Sequence, residues 1–172
     1  TFDDGPIPGP TDFVLEQLDR YNAKATFFCI GDNVKKNPEL FQKLKDFGHR
    51  IGNHTFHHLN GWYQDTETYI DNVTQAETVI SSDLFRPPYG KIKKQQANIL
   101  LNKYKIVMWD VLSYDFNKEI SPEKCYFNVV KNSRPGSIVV FHDSLKAFKN
   151  LEYALPKNLE FFKEEGYEFK TI

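Results

Sequence analysis

The segment ATFFCIGDNVKKNPELFQKLKDFGHRIGNH, residues 25–54, contains a complete strand–helix–strand unit. Ala25 to Ile30 is a short apolar run, which is typical of a buried strand. The pattern from Pro38 to Phe47 predicts a helix, with proline in its first turn and Gly48 directly after its end. Residues 50–53 predict a second short strand. This order of elements favours a parallel sheet that is covered by helices.

The same alternation continues in both directions along the chain. Further helices are predicted at residues 12–21, 66–81, 94–103, 122–132 and 151–165, and further strands at residues 83–86, 105–109, 137–141 and 168–172. Thr11 is the expected N-cap of the first helix. Asp3 and Asp4 would also follow a strand, of which only Thr1 and Phe2 remain, so we expect a truncated first strand. The predicted fold is α/β, with a parallel sheet that is either open or closed into a barrel.

Length and composition predict one soluble globular domain over residues 1–172, with 40% hydrophobic and 26% charged residues. The net charge of -1 lacks the basic excess of a nucleic-acid-binding protein. No run approaches the roughly 20 apolar residues of a membrane-spanning helix. The two cysteines, Cys29 and Cys125, are too few for a disulfide framework. The sequence starts without a basic and apolar leader, which predicts either a cytoplasmic protein or a trimmed sequence.

Polar residues follow several of the predicted strands. His54, Arg86 and His142 each stand at a strand end, and Asp110 and Asp115 follow another strand. In parallel α/β folds, the residues that carry function lie beyond the carboxyl ends of the strands. We therefore expect these side chains to share one edge of the sheet.

A metal site is the first chemistry that the sequence suggests. His54 and His58 are four positions apart, so both imidazoles would project from one face if the turn is helical. Such a pair needs an anionic third ligand, for which Asp3 and Asp4 are candidates. The alternatives are surface or packing histidines and an Asx-type turn. The combined set favours a metal, and His57 is expected to point elsewhere.

Two other segments are ambiguous when each is taken alone. Residues 86–90, RPPYG, form a rigid turn that either holds Arg86 against a carboxylate or is a stiff surface loop. His142 ends an apolar strand, so it is either a general acid or base or a satisfied core histidine. Taken without the other motifs, the core histidine is the better interpretation. His49 is also expected to be structural.

Together, five segments resemble the motifs of the polysaccharide deacetylase family, also known as carbohydrate esterase family four. In the family's order they are TFDDGP (1–6), GNHTFHH (52–58), RPPYG (86–90), Asp110 to Phe116, and Ile138 to His142. The resemblance extends from Thr1 to about Ser144 and implies an irregular (β/α) barrel of about seven parallel strands. Two positions depart from the family pattern: Phe116 replaces a usual Trp, and Val140 a frequent Leu.

The resemblance also implies roles for individual residues. It implies a metal site formed by Asp4, His54 and His58. It implies proton transfer by Asp3 as the base, with Arg86 as its ion-pair partner, and by His142 as the acid, with Asp115 as the carboxylate that orients it. It implies substrate contacts from Pro88, the Tyr89 backbone N–H, Phe116 and Val140.

The implied function is metal-dependent hydrolysis of N-acetyl groups on N-acetylglucosamine polymers, either peptidoglycan or chitin-like. The ligand set suits Zn²⁺ best, and Co²⁺ or Mn²⁺ also fit. Two alternatives are an O-acetyl esterase that acts on acetylated xylan and a non-catalytic carbohydrate-binding domain. We expect a monomer whose partner is a polysaccharide or oligosaccharide, and the resemblance implies a cell-envelope or secreted location.

Overall fold

A computed structural model describes all 172 residues, Thr1–Ile172. Seven strands form one parallel sheet: β1 (Phe2–Asp4), β2 (Thr26–Cys29), β3 (Arg50–Asn53), β4 (Leu84–Phe85), β5 (Lys105–Ile106), β6 (Val111–Leu112) and β7 (Val139–His142). The helices are α1 (Pro10–Arg20), α2 (Gly31–Lys36), α3 (Pro38–Asp46), α4 (Thr66–Glu77), α5 (Lys94–Leu100), α6 (Pro122–Asn132) and α7 (Phe148–Glu164), with a 3₁₀ turn at Pro88–Gly90.

The sheet curls into an incomplete barrel. Its strand order is β5-β4-β3-β2-β1-β7-β6, and all neighbouring pairs are parallel. The two edge strands, β5 and β6, do not pair with each other, so the barrel stays open on that side. This architecture confirms the predicted α/β barrel of about seven parallel strands.

The strand register aligns the polar residues along the carboxyl edge of the sheet. Asp3 lies opposite His142 in the pairing of β1 with β7, and Asn53 lies opposite Phe85 in the pairing of β3 with β4. His54 and Arg86 are therefore the first residues beyond two adjacent strands. Because the carboxyl ends of parallel strands lie on the same edge of a sheet, this register brings together residues from distant parts of the chain.

Side-chain alternation separates two apolar regions. Phe27 points outward, where its ring lies 5.0 Å from that of Phe2 in a cluster of 24 buried residues between the sheet and the helices. The next residue, Phe28, points into the barrel and packs with Leu84 and Val107. Strands that are buried on both faces need apolar residues at successive positions, which explains the unbroken run in β2.

The chain ends differ from the sequence prediction. Residues 168–172 were expected to form a strand, but they have no regular structure. Ile172 instead donates its backbone N–H to Thr26 Oγ1 (3.1 Å), and its carbonyl accepts from Arg50 (2.5 Å). These contacts place the segment at the amino end of β2 and β3. Its last residue is held by hydrogen bonds to side chains and not by backbone pairing with a strand.

Other local differences concern caps and short elements. Thr11 does not cap α1, because Gly9 is the N-cap and Thr11 lies inside the helix. Helix α2 and strand β6 were not predicted, since both are short. Both cysteines are buried free thiols. None of the helices has the length and apolar character that crossing a membrane requires.

Candidate functional site

Asp4, His54 and His58 converge at the carboxyl edge of the barrel. One ligand atom from each residue lies within 4.8 Å of the others. Asp4 Oδ1 is 3.9 Å from His54 Nε2 and 3.3 Å from His58 Nε2. The sequence named all three residues as candidate metal ligands, and the fold brings them together around a single point.

The segment that carries both histidines is a tight loop and not a helical turn. Thr55 and His58 adopt left-handed backbone conformations with φ of 64° and 56°. Asn53 Oδ1 accepts the Thr55 N–H (2.8 Å), and Asn72 Oδ1 accepts the N–H groups of the next two residues (3.0 and 2.9 Å). These two amides replace the hydrogen bonds of a helix and turn the imidazoles toward each other, with ring centroids 5.1 Å apart.

The protonation state of His54 follows from its partner. Its Nδ1 lies 2.7 Å from the Arg86 carbonyl oxygen, which can only accept, so Nδ1 carries the hydrogen and Nε2 presents a lone pair. Burial lowers the pKa of His54 to about 4 and that of His58 to about 4. Both rings are thus neutral at neutral pH, and their contacts with Asp4 are not ion pairs.

Asp4 is the acidic member of this set. Its Oδ1 is buried and has no hydrogen-bond partner, although buried carboxylate oxygens are normally satisfied. Burial, opposed by the nearby histidines, raises the pKa of Asp4. An orphaned carboxylate oxygen that faces two imidazole nitrogens is a donor set that fits a divalent metal. The three residues therefore fit the metal that the sequence suggests.

Asp3 is held by a fully buried arginine. Arg86 Nη1 donates to Asp3 Oδ1 at 2.7 Å and to Thr1 Oγ1 at 2.9 Å. Burial alone would raise the pKa of Asp3, but the Arg86 guanidinium outweighs it, so the pKa lies below its usual value. Asp3 Oδ2 has no hydrogen bond within the protein and lies 4.0 Å from His54 Nε2.

Arg86 is itself anchored inside the barrel. Its Nε and Nη2 donate to the carbonyl oxygens of Val107 (3.1 Å) and Met108 (3.2 Å). Its guanidinium carbon lies 4.0 Å from the centroid of the Phe28 ring. A buried charge is tolerated only when it is paired and hydrogen-bonded, and here every part of the guanidinium has a partner. The side chain thus connects the open edge of the sheet to β1.

His142 and Asp115 form a second ionic pair. His142 Nδ1 lies 2.7 Å from Asp115 Oδ1, and the His142 backbone N–H donates to Oδ2 at 2.7 Å. Burial alone would lower the pKa of His142, but the Asp115 carboxylate raises it to about 9. The imidazole is therefore protonated at neutral pH.

The predicted substrate contacts lie in different environments. Pro88 is buried, Tyr89 is exposed, and the Phe116 ring stands edge-on to His142 with centroids 5.1 Å apart. The Tyr89 N–H makes no hydrogen bond within the protein. Val140 is fully buried in β7, so its contact with an acetyl group stays a prediction.

Asp110 does not belong to this group. The sequence placed it after a strand, but it precedes β6 and lies at the amino end of the barrel. There it accepts from the Ile138 N–H (2.7 Å) and the Ser137 hydroxyl (2.9 Å). An apolar cavity of about 180 Å³ also lies at this end, lined in part by Thr1 and Phe2, away from the polar cluster.

Sequence reasoning missed Asp143. Its Oδ1 accepts the Gly5 N–H (3.0 Å) and its Oδ2 accepts the Thr11 hydroxyl (2.6 Å), which ties the loop after Asp4 to β7. A Cβ atom on Gly5 would lie 1.9 Å from Asp143 Oδ2, so only glycine fits there. Burial raises the pKa of Asp143 to about 7. Its position directly after His142 was the only available signal.

The site can be compared with known proteins. A family model described as polysaccharide deacetylase matches residues 1–107. Two relatives from Bacillus cereus are both named peptidoglycan-N-acetylglucosamine deacetylase. One is 36% identical over 180 residues, which cover all of this chain and 84% of the relative. The other is 33% identical over 180 residues, and this chain spans 65% of its length.

A solved structure of a deacetylase is also similar to this chain. The Bc1960 peptidoglycan N-acetylglucosamine deacetylase, in complex with 4-naphthalen-1-yl-N-oxidanyl-benzamide, superposes with a TM-score of 0.93 at 32% identity. The match covers 99% of this chain and 83% of that one. The curled barrel is therefore the fold of that protein.

Proposed function

Because this chain belongs to the polysaccharide deacetylase family, we propose that it is a metal-dependent hydrolase that removes N-acetyl groups from N-acetylglucosamine polymers. Its products would be acetate and a free amino sugar. Peptidoglycan is the favoured polymer, since both Bacillus cereus relatives carry that substrate in their names, and a chitin-like chain is the second choice.

One observation carries the proposal. Two neutral imidazoles and one carboxylate that could hold a metal share the carboxyl edge of the barrel with an ionised carboxylate, Asp3, and a protonated imidazole, His142. Amide hydrolysis needs a base to take a proton from water and an acid to protonate the leaving nitrogen. Two titratable groups whose surroundings move their pKa values apart provide that pair.

Asp4, His54 and His58 would hold the cation, for which we propose Zn²⁺. A bound divalent cation supplies Lewis acidity, which polarises a carbonyl group and lowers the pKa of water. Asp3 is suited to accept the proton of the attacking water at Oδ2, because Arg86 occupies Oδ1. The same ion pair keeps Asp3 ionised, so it is ready to act as a base at neutral pH.

His142 would donate the second proton. Asp115 occupies its Nδ1, so the proton that can leave is on Nε2. An amine is a poor leaving group as an anion, so the amide nitrogen must be protonated as the bond to carbon breaks. The raised pKa keeps His142 charged until that step. The unpaired Tyr89 N–H is a suitable donor for the negative charge that develops on the carbonyl oxygen.

Acetate release is the direct test. Purified protein loaded with Zn²⁺ is incubated with N-acetylglucosamine oligomers, peptidoglycan and acetylated xylan, each with and without a chelator. Chelator-sensitive acetate release from the N-acetylated substrates would support the proposal. Release from acetylated xylan alone would replace it with an O-acetyl esterase.

A matched variant separates catalysis from binding. His142→Ala should keep the metal and the polymer but lose most amide turnover. If wild-type protein loaded with metal binds the oligomers and releases no acetate from any substrate, the domain is a carbohydrate-binding module and the proposal is wrong.

A further inference from the structure

The Tyr89 side chain makes an unexpected contact at the metal site. Its hydroxyl oxygen lies 3.0 Å from His58 Nδ1, and the two ring centroids are 4.5 Å apart. The residue is otherwise 58% exposed, so packing does not explain its position. Its backbone is left-handed (φ 60°, ψ 5°), which is a rare conformation for a bulky residue. Such outliers occur where the surrounding structure holds a residue in place for function.

The two imidazoles differ in how their tautomers are fixed. His54 is buried, and a backbone carbonyl oxygen determines which nitrogen carries its hydrogen. The His58 side chain is one quarter exposed, and no backbone carbonyl accepts from its Nδ1. The Tyr89 hydroxyl is its only Nδ1 partner in the protein. A hydroxyl can accept or donate, so it allows the tautomer that a metal requires.

The competing tautomer would disable the site. If His58 carried its hydrogen on Nε2, that hydrogen would face Asp4 Oδ1 at 3.3 Å. His58 Nε2 would then donate to Asp4 Oδ1, and it would present no lone pair to a cation. When the Tyr89 hydroxyl oxygen accepts from Nδ1, it stabilises the opposite tautomer, and the Nε2 lone pair stays free.

We propose that Tyr89 is a positioning residue of the metal centre, whose hydroxyl oxygen accepts a hydrogen bond from His58 Nδ1 and so keeps His58 Nε2 available for the cation. This inference rests on the metal site of the proposed function. It assigns the side chain a task that is separate from the proposed task of the backbone N–H. Loss of such an outer partner typically weakens metal affinity by about 10–100-fold.

Tyr89→Phe tests the inference, because it removes only the hydroxyl and keeps both the ring and the backbone N–H. Tyr63→Phe is the matched control, since Tyr63 is 82% exposed and its hydroxyl makes no hydrogen bond in the protein. The dissociation constant for Zn²⁺ is measured for metal-free wild type and both variants by competition with a chelator. We expect Tyr89→Phe to bind about 10–100-fold more weakly and Tyr63→Phe to match wild type.

A second measurement reports on the tautomer itself. Long-range ¹H–¹⁵N correlation spectra of the metal-free proteins at neutral pH should show the hydrogen of His58 on Nδ1 in wild type. In Tyr89→Phe, the population with the hydrogen on Nε2 should increase.

The outcomes separate this inference from the proposed function. Wild-type zinc affinity together with an unchanged His58 tautomer in Tyr89→Phe would overturn the inference and leave the function standing. If wild type itself fails to bind Zn²⁺, or binds no more tightly than Asp4→Ala, both proposals are wrong.

Discussion

Substituting Asp115 by Asn should move the alkaline limb of the pH–rate profile. Asp115 contacts His142 twice, through the ring Nδ1 and through the backbone N–H, each at 2.7 Å. Burial lowers the pKa of His142, and the Asp115 carboxylate more than reverses that effect, so the pKa stands at about 9. In Asp115→Asn the side-chain oxygen can still accept from Nδ1, but the negative charge is absent.

The size of the shift follows from that charge. An opposite charge at hydrogen-bond distance typically moves a pKa by about 1–3 units, so the pKa of His142 should fall from about 9 to about 7. The acid must be protonated to act, so activity is present below the pKa of His142 and is lost as the pH rises through it. At about pH 8 the protonated fraction falls from about nine tenths to about one tenth, a roughly tenfold loss of kcat/KM. At about pH 6 the two fractions differ by less than about twofold.

The assay is acetate release from an N-acetylglucosamine oligomer at fixed Zn²⁺ across the pH range. Asp110→Asn is the control, because Asp110 is also an aspartate with two hydrogen bonds but lies at the other end of the barrel. Its profile should match that of wild type. An ester substrate adds a second comparison, since an alcohol leaves more readily than an amine and Asp115→Asn should affect it less.

The informative quantity is the pH at which the alkaline limb falls, and the overall rate is less informative. If Asp115→Asn lowers the rate equally at every pH and keeps an alkaline limb near that of wild type, Asp115 does not tune His142. The assignment of His142 as the acid would then lose its electrostatic support.

Three further variants test other parts of the site. Asp4→Ala should fold but lose bound Zn²⁺, as measured by elemental analysis; full metal content would remove Asp4 from the ligand set. Asp3→Asn should keep the metal and lose at least about 100-fold in kcat, in the range of general-base contributions, and a wild-type rate would dismiss it as the base. Gly5→Ala places a methyl group against Asp143 and should lower the free energy of unfolding by about 1–3 kcal/mol in urea denaturation; unchanged stability would mean that the loop shifts freely.

Most of the strand positions could be predicted from the sequence. The apolar run of β2 and the polar residues at strand ends share one cause, because parallel strands are buried along their length and open at their carboxyl edge. The residues at that edge, such as His54 and His142, could therefore be grouped before any coordinates were known. The register of Asp3 with His142 then follows from the pairing of β1 and β7.

The conformations of two segments, the loop that carries His54 and His58 and residues 168–172, could not be predicted from the sequence. The spacing of His54 and His58 is compatible with a helical turn, but side chains from other parts of the chain hold the segment as a loop. Asn72, on α4, supplies two of its hydrogen bonds, and no pattern near His58 indicates that. The last residues, 168–172, have strand-like composition, yet the sheet offers them no free edge beside β2 and β3. In both cases tertiary contacts override the local preference.

Three buried carboxyl groups and the partly buried Asp4 meet at this edge of the barrel, and they differ in what offsets the cost of their burial. Asp3 has the Arg86 guanidinium, and Asp115 has the His142 imidazolium. Asp143 has no cation, but each of its oxygens accepts a hydrogen bond, and its raised pKa allows it to be protonated. Asp4 has neither a cationic side chain nor a donor on its buried oxygen. A carboxylate in that state is costly to bury unless a proton neutralises it or a cation joins it, so Asp4 is the carboxyl group of the four that lacks a partner within the chain.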